Sequence, residues 1–118
     1  MISAFNLYVA LASISVIPGV YLIQYQINYN YSAANLLSWL NYGLGTSVSN
    51  LDIQACKSYC SSSPFFPFNI SNSYMYTAST SQIIYLNALL SDYDNTNILI
   101  QNLPNISISS KLTICRIA

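Results

Sequence analysis

Three cysteines, three Asn-x-Ser triplets and a run of aspartates are the residues of this chain whose types and spacing bear on chemistry. Cys56 and Cys60 share a C-x-x-x-C spacing and Cys115 stands near the end. With no histidine anywhere, they do not complete a four-ligand zinc site. In a domain outside the cell the expected use is a disulfide tying the last segment to the start of the domain. Cys60 with Cys115 is the first pairing, Cys56 with Cys115 the alternative, and three buried thiols the remaining possibility. Closing so long a loop would contribute on the order of 4 kcal/mol. The triplets begin at Asn30, Asn69 and Asn105. In an exported chain Asn69 and Asn105, in loop or strand-edge contexts, are the candidate carriers of N-linked glycans. Asp92, Asp94, Thr96 and Ile98 copy the opening of an oxygen-rich calcium loop, but Asn97 stands where that loop needs glycine and Leu103 where it needs an acid. A polar turn is the expected structure there. Histidine and glutamate are both absent, and the aspartates, lysines and tyrosines form no recognisable acid–base constellation. Neither a glycine-rich phosphate loop nor a serine elbow occurs. The expectation is no catalytic residue, no metal and no cofactor.

Only six of 118 residues are charged, Asp52, Lys57, Asp92, Asp94, Lys111 and Arg116, and they cancel. That leaves no basic footprint for nucleic acid. The polar surface must come from 19 Ser, 13 Asn, 5 Thr and the hydroxyls of 11 Tyr. A soluble domain usually carries about a quarter charged residues, and a surface so nearly neutral favours association.

The elements that must position these residues begin with the stretch from Met1 to Ile23, which carries no charge. As a helix it would be roughly 35 Å long, enough to cross a bilayer core of ~30 Å. Its apolar residues fall on every side, which predicts burial in lipid or among similar helices. No Lys or Arg precedes Lys57, so a signal peptide fits poorly; either a charged leader precedes Met1 or Met1 is a start codon. From Ile23 to Ser32 apolar and polar residues alternate as in a strand, while Tyr21, Tyr25 and Tyr29 also make a helical ridge. The favoured expectation is one helix from Ile2 to Tyr42, broken near Pro18 and ended by Gly43 and Gly45. A strand over Ile23 to Ser32 is the alternative. Beyond Thr46 a brief capped helix to Tyr59 is expected, followed by strands at Phe68–Ile70, Tyr74–Ser79, Gln82–Leu90, Ile98–Asn102 and Ile106–Ile117. The fold class predicted is α+β: a long apolar N-terminal helix over residues 1–42, then a small antiparallel β domain over 43–118.

An uncharged apolar N-terminal helix carrying a proline, Pro18, followed by a small Ser/Asn/Thr/Tyr-rich β domain resembles the type IV pilins of archaea. Phe5 stands where many bacterial pilins carry an acid. The resemblance implies leader cleavage, a membrane-inserted monomer, and a homo-oligomeric helical polymer with helices at its axis and β domains outside. Ile2, Phe5, Val9, Leu11, Ile14, Ile17, Pro18, Leu22 and Ile23 would form the filament core. The function implied is that of a structural subunit of an extracellular, cell-surface filament serving adhesion. Two other readings stay open: a structural membrane or capsid protein of an archaeal virus, and a fibre subunit in which Ile23 to Ser32 completes a neighbour's sheet.

Overall fold

Period two is clearest in the second described strand. In the computed structural model, Tyr21, Ile23, Tyr25 and Ile27 are buried while Gln24, Gln26 and Asn28 are exposed. A strand produces this pattern because successive side chains leave opposite faces. The structure describes residues 8–31, 37–61, 68–92, 97–98 and 106–118. They form eight strands: β1 (Val9–Val16), β2 (Gly19–Tyr31), β3 (Leu37–Gly45), β4 (Gln54–Ser61), β5 (Phe68–Ala78), β6 (Gln82–Asp92), β7 (Asn97–Ile98) and β8 (Ile106–Arg116). All pairings are antiparallel. The larger sheet runs β1-β6-β3-β4, with β7 also on β6; the smaller runs β5-β2-β8.

The fold is therefore all-β, and the α+β expectation is corrected: no helix occurs among the described residues. None is long and apolar enough to cross a membrane. Of the residues assigned to a filament-core helix, Val9, Leu11 and Ile14 lie on β1, Ile17 and Pro18 in the connection between the sheets, and Leu22 and Ile23 on β2. Ile2 and Phe5 lie outside the described residues. Burial is one-sided, with Ile23 fully buried and Ile17 56% exposed. β-Branched residues with serine suit a pleated, half-buried surface better than a helix, and Pro18 supplies no N–H to a ladder. The chain accordingly changes sheets there. The expected boundary after Tyr42 falls inside β3. Tyr59, expected to end a short helix, lies on β4.

The later strands follow expectation more closely. Phe68–Ile70 and Tyr74–Ser79 merge into β5, Gln82–Leu90 becomes β6, and Ile106–Ile117 becomes β8. Of Ile98–Asn102 only Ile98, in β7, is described.

One core joins the two sheets. Ile23, Tyr25, Ile27 and Ile70 of the smaller sheet pack with Leu40, Tyr42, Leu44, Ile84 and Leu86 of the larger. Each fully buried Ile or Leu contributes ~1.5–3 kcal/mol. The rings of Tyr25 and Tyr42 meet edge to face across the core, centroids 6.3 Å apart. At one side of the sandwich β1 approaches β8. The β1 register shifts between Ala10 and Ala12, leaving Leu11 unpaired as in a β-bulge, and the Leu11 carbonyl accepts a hydrogen bond from Ser110 Oγ at 3.2 Å.

Candidate functional site

Where β4 approaches β5, the core turns polar. Gln54, Cys56 and Ser58 of β4 are only partly exposed, in alternation with exposed Ala55 and Lys57. Tyr25 Oη donates to Gln54 Oε1 at 2.8 Å. Asn72 Nδ2 of β5 donates to Tyr25 Oη at 3.4 Å and to Cys56 Sγ at 3.5 Å, and Ser58 Oγ donates to Tyr42 Oη at 3.4 Å. Burial, with Cys56 beside it, raises the Tyr25 phenol well above the ordinary tyrosine range. Tyr25 is therefore a hydrogen-bond donor at physiological pH and not a base. Among the described residues the seam holds one thiol, Cys56, with no carboxylate beside it, and the chain has no histidine or glutamate. Its chemistry is that of a satisfied polar network.

The outer face of the smaller sheet offers a different arrangement. Strict alternation sends Gln24, Gln26 and Asn28 away from the core, and antiparallel register lines up their neighbours. Gln26 lies between Ser71 of β5 and Lys111 of β8; Gln24 lies between Ser73 and Thr113. The result is a groove of about 220 Å³ lined by Gln24, Gln26, Ser71, Asn72, Lys111 and Thr113, over the Tyr25 backbone position. Toward the Arg116 end the same face turns apolar, where the Leu22 row joins Met75, 55% exposed, with Cys115.

The outer face of the larger sheet is closed instead by the turn between β3 and β4. Asn87 of β6, fully buried, donates through Nδ2 to the carbonyls of Ser47 and Asn50, each at 2.8 Å. Asp52 holds the turn from its other end, accepting from the Thr46 N–H at 2.8 Å and from Thr46 Oγ1 at 2.6 Å. Asn87 Oδ1 and Asn50 Oδ1 have no hydrogen-bond partner.

Among the residues expected to matter, Cys115 is an exposed free thiol on β8 and Cys56 a half-buried free thiol in the seam, so neither pairing through Cys115 is made. Cys60 lies on β4 opposite Ser38, its side chain outside the described residues. Asn69 is exposed on β5, an edge strand. Asn105 lies outside the described residues, as do Asp94, Thr96 and Leu103. Among the described residues no three His, Cys, Asp or Glu side chains gather as a metal site. The sequence reading missed the groove altogether. Its signal was present in the polar half of the Ile23–Ser32 alternation.

Comparison with protein families, with characterised proteins and with solved structures gives no match to this chain.

Proposed function

We propose that this chain is a structural subunit that assembles with copies of itself, outside the cell, by continuing its sheets edge to edge. The β5 edge carries this conclusion. Its eleven residues, FNISNSYMYTA, hold no charge and no proline, pair with β2 in unbroken register, and end the smaller sheet. Edge strands that stay apart are usually blunted by charge, proline, bulges or shortness. β5 is blunted at one described point, where Asn72 Oδ1 accepts the Ser73 N–H at 2.9 Å. The other end of that sheet, β8, carries Lys111 and Arg116. A β5 edge meeting a different edge of the next copy is a heterologous contact, and such contacts propagate into filaments when they do not close.

A near-neutral surface suits this use, because lateral contacts then need no charge pairing. An N-linked glycan at exposed Asn69 would stand on the outer face of the sheet. The apolar N-terminal segment has no part as a filament axis or membrane anchor in this assembly, since its described residues are β1 and β2. Nor can Ile23 to Ser32 be lent to a neighbour: through Tyr31 it belongs to the central strand of its sheet, paired on both sides as far as Tyr29.

Sedimentation of the full chain over a range of concentrations tests the proposal. The native chain should form concentration-dependent higher species. Met75→Lys combined with Thr77→Lys, both on exposed positions of β5, should leave monomers with an unchanged β-sheet circular dichroism spectrum. A native chain that stays monomeric throughout, or a double-lysine variant that assembles like the native chain, would overturn it.

A further inference from the structure

The groove on the outer face of the smaller sheet combines three kinds of polar group whose demands only certain ligands meet together. Gln24 and Gln26 each present an amide with two donors and one acceptor, Ser71 and Thr113 hydroxyls that do both, and Lys111 an ammonium that only donates. No acidic side chain lines the groove. Of the chain's three aspartates, the one whose side chain is described, Asp52, is engaged by Thr46 at the turn of the opposite sheet. Lys111 therefore brings a positive charge that nothing in the groove balances.

From this we infer that the groove binds an acidic sugar, a ring carrying both hydroxyls and a carboxylate. A bare oxyanion would pair with Lys111 and make no use of the glutamine carbonyl oxygens, which would stay with water. A neutral sugar would satisfy the amides and hydroxyls and leave the ammonium without its counter-charge. An apolar peptide finds no pocket, because the aromatic residue beneath, Tyr25, is 2% exposed and turned into the core. Scale agrees as well. Gln24 and Gln26 are about 7 Å apart along the strand, and Ser71, Gln26 and Lys111 span about 10 Å across three strands. That footprint, with a volume of about 220 Å³, suits one ring of a saccharide and falls below the ~300–1,000 Å³ of drug-sized pockets. Charge complementarity at Lys111 selects the occupant, and the exposed amides and hydroxyls beside it exchange water for the ring hydroxyls. The inference does not rest on self-assembly: Ser71 of β5 takes part through the face of the sheet, whereas assembly would use the main-chain edge of that strand.

Titration of the full chain with methyl β-D-glucuronide, followed by amide and side-chain NMR shifts, is the test. Methyl β-D-glucoside and inorganic phosphate serve as the neutral and anion-only probes. Saturable shifts at Gln24, Gln26 and Lys111 are expected with the glucuronide. The glucoside should bind about tenfold more weakly, as should Lys111→Met toward the glucuronide, the equivalent of one charge-assisted hydrogen bond. Lys111→Arg should keep the affinity and Gln26→Ala should lower it. Absence of saturation with the glucuronide, equal binding of phosphate, or an unchanged affinity in Lys111→Met would overturn the inference. Because Lys111 is exposed, its variants leave the fold intact and the outcome readable.

Discussion

The two sheets share a core but differ on their outer faces. On the smaller sheet, β2 keeps a strict alternation, and its outward residues Gln24, Gln26 and Asn28 are exposed. On the larger sheet, β6 loses its alternation in its second half: Leu86, Asn87, Ala88 and Leu89 are all buried. Leu86 and Ala88 belong to the core between the sheets, while Leu89 is absent from that cluster and Asn87 holds the β3–β4 turn. The turn lies flat on that face because β3 offers it Gly45. A Cβ on Gly45 would run into the Asn50 carbonyl oxygen of the turn, while one on Gly43 would run into the Gln54 carbonyl oxygen of the neighbouring strand β4. The difference teaches how an outer face declares itself. A regular polar alternation marks a face open to solvent, and a buried run carrying one asparagine opposite glycine marks a face the chain has covered for itself.

The sharpest way to break this contrast is at Gly43, which lies opposite Asn87 and has φ +149°. Gly43→Ala adds an unfavourable backbone conformation to a clash with main-chain atoms that have no free rotor to yield. A loss of ~3 kcal/mol or more is expected in denaturant unfolding. Removing the asparagine should cost less. Asn87→Ala strips the Ser47 and Asn50 carbonyls, on half-exposed turn residues that water can reach, of their shared donor, a loss of ~1–2 kcal/mol in all. On the open face Gln26→Ala should stay within about 0.5 kcal/mol of the native chain. Equal losses from Asn87→Ala and Gln26→Ala would erase the distinction between the two faces.

How much of this could be read beforehand differs from element to element. The strands after Phe68 were legible because β-branched and aromatic runs there are separated by turn residues. β2 was legible in its alternation, but Tyr21, Tyr25 and Tyr29 also satisfy a helical spacing, and period alone does not choose between two patterns that share residues. β1 was disguised by its bulge: the extra residue between Ala10 and Ala12 breaks the period of two, so the segment reads as apolar on every side. Gly43 and Gly45 look like helix terminators in sequence and instead allow close backbone approach, Gly43 to β4 at Gln54 and Gly45 to the turn that Asn87 holds. That role depends on residues about ten and forty positions away, Gln54 and Asn87, which no local window contains. The groove was hidden for the same reason, since Gln26, Ser71 and Lys111 become neighbours only through register.

The smallest expected effect concerns how firmly the covering turn is held at its exposed end. Hydrogen bonds from the Thr46 hydroxyl and N–H hold the Asp52 carboxyl below the usual carboxylate range. A folded-state pKa below the unfolded one means that the unfolded chain takes up the proton first. The stabilisation is therefore complete above the ordinary aspartate value of ~3.9 and lost as pH falls through the folded value. Asp52 is exposed, so solvent screening keeps the effect below ~1 kcal/mol. Thr46→Val removes the hydroxyl, the larger contributor, and leaves the N–H. It should raise the Asp52 titration midpoint toward the ordinary value and flatten the acid limb of stability, as read by carboxyl NMR shifts and by unfolding in urea between neutral and acid pH. Gln26→Ala, on the open face, should leave both curves unchanged. A titration midpoint that does not move in Thr46→Val would mean that the Thr46 hydroxyl does not hold Asp52, and the covering turn would then be fixed by Asn87 and by the Ile53 N–H donating to the Leu44 carbonyl at 3.0 Å.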